Sequence, residues 1–160
     1  MAEVIMTCGR ICSGKSTYAQ KLRTERNAVI LSVDEITLAL FPDGAGEMLD
    51  TYVERVEELL YRKALEIIEA GTDVILDWGF WTRAERIYAR RFFGEKGIHC
   101  ELHYLKVSDE LWRERIKKRN SLIAEGKLSA YYVDAGLAEK AADIFEEPDE
   151  NEIDQIIINR

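Results

Sequence analysis

Proline, cysteine, histidine and long apolar runs are all scarce in this chain of 160 residues, which holds two prolines, three cysteines and two histidines. Each scarcity excludes something. Cys8, Cys12 and Cys100 form an odd set without paired spacing, so a disulfide framework is not expected, and His99 and His103 are too few to complete a structural zinc site. The thiols are expected to be reduced. No stretch reaches the about 18 apolar residues that a bilayer helix needs, and the opening MAEVIMTC lacks the basic region and long apolar stretch of a signal peptide. A cytoplasmic location with no membrane partner is expected. With ten glycines, two prolines, no repeat and no low-complexity linker, residues 1–160 are expected to form a single domain. Acids outnumber bases 30 to 22, a formal net charge of −8, which argues against coating a polynucleotide through bulk electrostatics.

What the chain does have is apolar residues, 47% of the total, and at this length a domain buries roughly two-thirds of its unfolded surface without a staple. They fall into short β-branched runs that alternate with helical patterns. The runs are Val4–Met6, Ala28–Leu31, Asp73–Leu76, Leu102–Leu105 and Ile156–Ile158. They are continuous rather than alternating, as in strands covered on both faces of a parallel sheet, so the fold class is α/β with five strands. Between the runs, apolar residues from Met48 to Ile68 recur at three- and four-residue steps, and Gly71 stands where a helix C-cap belongs. This predicts the longest helix, about 47–70. Further helices are predicted near 15–26, 82–94, 109–125 and 136–146, the last two separated by a polar stretch with Gly126 and Ser129. Phe41 to Gly46 is the predicted flexible loop.

Directly after the first run comes Gly9-Arg10-Ile11-Cys12-Ser13-Gly14-Lys15-Ser16-Thr17, which fits G-x-x-x-x-G-K-[ST] between a strand and a helix. Gly9 and Gly14 allow the backbone angles and close approach that let successive N–H groups surround a phosphate, and the helix adds its positive end. Lys15 is placed to bridge β- and γ-phosphates, and the Ser16 hydroxyl to ligate Mg²⁺. The expected ligands are therefore ATP and Mg²⁺, with residues Gly9 to Thr17 as the cradle.

In open parallel sheets ligands bind beyond the carboxyl ends of the strands, so polar residues after apolar runs are candidates. Asp77, after Val74-Ile75-Leu76, is read as a holder of a Mg²⁺-bound water, or else as a turn or helix-capping aspartate. Asp34, after Val29 to Val33, is read as the acceptor of a proton from an attacking hydroxyl, or else as the N-cap of a helix from Ile36. Glu35 is the second choice for the base.

These residues, with Ser32-Val33-Asp34 and Leu111 to Asn120, make the chain resemble the small P-loop kinases, the group that contains polynucleotide 5′-kinase domains, chloramphenicol phosphotransferase and zeta toxins. The resemblance covers residues 1–120 well and the remainder loosely. It implies a three-layer P-loop NTPase fold with strand order 2-3-1-4-5, Asp34 as general base, and an arginine-bearing lid over about 109–133. Arg115 and Arg119, four apart, share a helical face as paired phosphate-facing lid arginines would; the alternative is a solvated helix tied by pairs such as Glu114 with Lys118.

The departures bear on substrate. Polynucleotide kinases of this group typically carry an arginine three residues after the base, where this chain has Thr37, and Asp-Asn/Ala-Thr-Asn after the third strand, where it reads Asp77-Trp78-Gly79-Phe80. Nucleic acid is thereby demoted as acceptor. Trp78, Phe80 and Trp81 cluster beside Asp77, either to stack on an acceptor or to pack in the core. Arg83, Arg86 and Arg90 recur at helical spacing as an edge for an acceptor's phosphate or carboxylate, or as a solvated face with Glu85. The leading expectation is a kinase that transfers the γ-phosphoryl group of ATP to a small-molecule hydroxyl, with Asp34, Lys15, Arg115 and Arg119 catalytic, Ser16 and Asp77 on the metal, and Trp78, Phe80, Trp81 and Arg83 toward the substrate. The alternatives are a nucleotide or polynucleotide 5′-hydroxyl kinase, and an ATP-binding switch or toxin-like partner protein acting through residues 121–160. The charge is uneven: residues 134–154 hold nine acids against one lysine, and residues 83–119 eleven bases against six acids. A solvated acidic segment and a basic working face are expected.

Overall fold

Val4 to Cys8 is buried at every position, which an isolated apolar run achieves only with a neighbouring strand on each edge and a layer on each face. In the computed structural model, which describes residues 1–128 and 135–159, this segment is β1 (Val4–Cys8), the centre of a five-stranded parallel sheet. β3 (Val74–Asp77) lies on one side and β4 (Cys100–Val107) on the other, with β2 (Val29–Ser32) and β5 (Gln155–Asn159) at the edges. The order is β2-β3-β1-β4-β5, as the resemblance implied. Ser32 stands opposite Asp77 in the register, which brings the ends of β2 and β3 level.

Alternation along β1 divides the core. Val4, Met6 and Cys8 pack with Tyr61, Ala64, Ala89 and Phe93, and Ile5 packs with Ala19, Leu22 and Ile75. The first group belongs to α3 (Leu49–Glu69) and α4 (Arg83–Gly94); in the second, Ala19 and Leu22 belong to α1 (Lys15–Arg26) and Ile75 to β3. The three layers follow from that period of two. The other α-helices among the described residues are α2 (Val33–Leu40), α5 (Asp109–Ala124) and α6 (Ala135–Ile144). Apart from α2, the helix ends fall within about two residues of the predicted ones. The predicted lid overlaps α5, and its portion at 129–133, Ser129 included, lies outside the described residues. No helix among the described residues is long and apolar enough to cross a membrane.

Three expectations need correction. α2 begins at Val33 rather than near Ile36, because Ser32 takes the N-cap and its hydroxyl accepts from the Glu35 amide at 3.3 Å, leaving Asp34 free of a capping role. The edge strands are not covered on both faces: Ile156 and Ile158 of β5 are 51% and 59% exposed. The acidic segment is not simply solvated. Arg86, fully buried, donates to Glu152 at 3.0 Å, Arg90 reaches Asp154 at 2.7 Å, and Arg83 lies 3.6 Å from Asp149. The Asp154 carboxylate also accepts from the Leu102 amide at 2.7 Å. The arginines of α4 therefore clasp the chain that leads into β5, while Glu85 closes a capping box with Thr82.

Candidate active site

The turn from β1 into α1 is built around two positions that exclude a side chain. A Cβ on Gly9 would stand 2.5 Å from Ser13 Oγ and 3.0 Å from the Leu105 carbonyl oxygen. Gly14 caps α1 with φ of 96°, and a Cβ there would meet Arg115 Nη1 at 2.9 Å. Inside this loop Lys15 Nζ donates to the carbonyls of Gly9 at 3.1 Å and Arg10 at 2.9 Å. Burial pushes the Lys15 amine below its usual range, against the pull of the Asp77 and Asp34 charges. The same burial raises the Asp77 carboxyl, against Lys15 and the hydroxyls of Thr7 and Ser16.

Those two hydroxyls frame Asp77: Ser16 Oγ is 3.3 Å from Oδ2, and Thr7 Oγ1 3.3 Å from Oδ1. Ser16 and Asp77 thus offer a hydroxyl and a carboxylate oxygen side by side, a donor set that suits a hard cation such as Mg²⁺. The nearby Cys8 thiol turns to the Phe80 carbonyl instead, and burial pushes it up to about 12. The loop fits a phosphate as well, since Ser13 Oγ is buried without a partner.

Both arginines of the predicted pair reach this loop. Arg115 Nη1 donates to the Ser13 carbonyl at 2.9 Å, and Arg119 Nη1 to Cys12 Sγ at 3.3 Å. Arg10 belongs to the loop by backbone only: its guanidinium lies over Trp112 and bonds to Asp109 at 2.8 Å and the Val107 carbonyl at 3.0 Å. Trp112 in turn donates to the Ile11 carbonyl, so α5 holds the loop from above.

A cleft of about 870 Å³ opens over these groups. Ile11, Cys12, Gly14 to Thr17, Asp34, Asp77, Trp78, Trp81, Arg115 and Arg119 all line it. Two predicted substrate residues are elsewhere. Phe80 is 1% exposed, stacked on Trp78 with ring centroids 5.1 Å apart, and packs in the core. Arg83 turns to Asp149, and Glu35 does not line the cleft.

The sequence profile of a family described as an AAA domain matches residues 4–129. This chain belongs to that AAA domain family. No curated protein sequence matches it. Among solved structures it is similar to a candidate kinase from Chloroflexus aurantiacus, with 18% identity, a TM-score of 0.75, and coverage of 98% of this chain and 85% of that one. It is similar to Kti12 of Chaetomium thermophilum in complex with ADP-AlF3, at 16% identity, TM-score 0.73, covering 98% and 88%, and to a sugar kinase from Janibacter, at 16% identity, TM-score 0.66, covering 99% and 85%. At such identities the likeness concerns the fold, which is the kinase-like P-loop arrangement.

The AAA domain match ends before β5, and there lies the residue that sequence reasoning missed. Asn159 Nδ2 donates to the Ser13 carbonyl at 2.6 Å, beside Arg115. Its signal was its place at the carboxyl end of the last strand, the ligand edge of any open parallel sheet. Tyr18 was missed as well. It lines the cleft, and its hydroxyl is 2.6 Å from His103 Nδ1, whose other ring nitrogen is 2.7 Å from Glu101.

Proposed function

We propose that this AAA domain protein is an ATP- and Mg²⁺-dependent kinase that transfers the γ-phosphoryl group to a hydroxyl of a small molecule. The observation that carries it is one cleft holding the P-loop lysine, the Ser16–Asp77 oxygen pair, two arginines and the exposed carboxylate of Asp34. Gly9 to Thr17 hold the phosphates by backbone N–H groups, and Lys15 leaves its two carbonyls to bridge the β- and γ-oxygens. Arg115 and Arg119 face the charge that develops as the group transfers. Ser16 directly, and Asp77 through a water, would hold Mg²⁺, which when bound would supply positive charge against the phosphate oxygens. Asp34 takes the proton of the acceptor hydroxyl as its oxygen bonds to the γ-phosphorus, and the bond to the β-γ bridging oxygen breaks to release ADP.

The kinase fold of the neighbours supports this reading. So does Thr37, fully buried in α2 with its hydroxyl on the Asp34 carbonyl at 3.3 Å, at the position where a polynucleotide kinase would present an arginine. The switch reading has less support, because residues 145–159 are occupied with the protein's own sheet: Tyr104 bonds to Glu147, and β5 pairs with β4. The test is Asp34→Asn: ATP affinity is expected to persist while transfer falls by about two to four orders of magnitude. Undiminished transfer sinks the base assignment.

A further inference from the structure

The part of the cleft in front of Lys15 is walled by α2, α3 and the segment after β3, and its charge is one-sided. Asp34, Leu49, Val53, Gly79, Trp78 and Trp81 face it. Among the described residues of this wall the Asp34 carboxylate is the one charged group. The cleft's cations are engaged elsewhere: Lys15, which also feels the Asp34 charge, bonds to two carbonyls of the P-loop, Arg115 and Arg119 are bonded to the same loop, and Lys21 pairs with Glu25 at 3.8 Å. The arginines of α4 that would otherwise be candidates are bound to Asp149, Glu152 and Asp154.

A second observation comes from Trp81. Its indole Nε1 is buried without a hydrogen-bond partner, a state that native proteins tolerate where a ligand or water supplies the missing oxygen. The ring is held in place. It lies against Gly79, where a Cβ would come within 1.9 Å of Nε1, and the Trp81 carbonyl accepts from the Glu146 amide at 2.7 Å. Trp78 is fixed beside it by stacking on Phe80.

Resting on the phosphoryl-transfer reading above, we infer that the acceptor is an uncharged hydroxyl compound with a flat apolar face, laid against Trp78 and Trp81 with one of its oxygens accepting from Trp81 Nε1, and that phosphorylated or carboxylated acceptors are rejected. An anion on this wall would sit beside Asp34 with Lys15 committed to the ATP phosphates and no cation of its own on the wall, which is discrimination by repulsion as much as by fit. Apolar ring faces, sugar or aryl, suit two tryptophans opposite Leu49 and Val53.

The experiment measures transfer from ATP to matched pairs: phenyl glycosides and benzylic alcohols against the same skeletons carrying a phosphate or carboxylate. The neutral member is expected to have the higher kcat/KM by about tenfold or more. A preference for the anionic member overturns the inference and leaves the kinase reading standing. Transfer to neither kind, with ATP bound, overturns the kinase reading and the inference with it. Trp81→Phe keeps the ring and removes the N–H, so the acceptor KM is expected to rise about tenfold while affinity for an ATP analogue holds; an unchanged acceptor KM overturns the hydrogen-bond assignment. Val53→Lys places a cation on the wall and is expected to narrow the preference for the neutral member, with retained ATP-analogue affinity reporting that the variant is folded; an unchanged preference contradicts the charge argument.

Discussion

Gly9 is the residue where the least change does the most. A methyl group there has to displace Ser13 Oγ, 2.5 Å away, and press on the Leu105 carbonyl at 3.0 Å, which belongs to a buried strand and cannot swing aside. Gly9→Ala is therefore expected to weaken binding of an ATP analogue at least about tenfold by calorimetry, without unfolding the sheet. Lys15 makes a different prediction, because in the structure it bonds to two carbonyls of its own loop. Lys15→Ala removes the bridging cation and is expected to cost about a hundredfold or more in turnover; turnover within twofold of wild type would remove Lys15 from the chemistry. Asn159→Ala removes one of two donors to the Ser13 carbonyl and keeps the other, Arg115. It is expected to raise the KM for ATP about threefold to tenfold, the scale of one lost hydrogen bond. Lys15 was legible from its motif, whereas Asn159 was not, because an asparagine at the end of an apolar run is also what a plain turn looks like.

At the scale of elements, α4 and the chain before β5 hold each other through ion pairs. Burial works against the ionisation of Glu152, but the Arg86 hydrogen bond, the Asp149 amide and the charges of Arg86 and Arg83 overcome it and hold its carboxyl below the usual range. Asp154 behaves alike, its burial outweighed by the Leu102 amide and Arg90. Such depressed carboxyls contribute stability that is present above their ordinary values, 4.5 for Glu152 and 3.8 for Asp154, and lost as pH falls through their lower folded ones. Glu152→Gln leaves the Arg86 guanidinium, 2% exposed, without its carboxylate, and is expected to destabilise by about 3 kcal/mol at pH 7. Thermal melts of wild type and variant should converge as pH is lowered below the carboxyl range. A gap that stays constant down to pH 3 would mean that packing, not charge, sets the difference. Long periodic helices such as α3 were legible because their apolar spacing repeats over several turns. The clasp was not, because its partners lie 66 residues apart and each half alone reads as a solvated charge run.

Over the whole molecule, the charge imbalance proved less informative than its folding. The net charge of −8 comes from a segment that pairs partly with the basic helix α4, so the arginines once available to an acceptor are taken internally. The strand order followed from resemblance rather than from periodicity, since continuous apolar runs give strands but not their neighbours. The cradle was legible because a P-loop demands its residues at fixed spacing between a strand and a helix, and Asp34 and Asp77 because they follow apolar runs at the ligand edge of a parallel sheet. Phe80 and Arg83 were misplaced because an aromatic or an arginine next to a ligand edge can turn either way, and here the core and Asp149 took them.

The central claim is that Asp34 and the P-loop work on the same phosphoryl group. Its most direct measurement is transfer of labelled γ-phosphate from ATP to neutral hydroxyl acceptors by the wild type and by Asp34→Asn, with ATP affinity determined for both. Equal affinities with transfer reduced by about a hundredfold or more in the variant are expected. Equal transfer by the two proteins, or a wild type that binds ATP and phosphorylates nothing, would contradict the account.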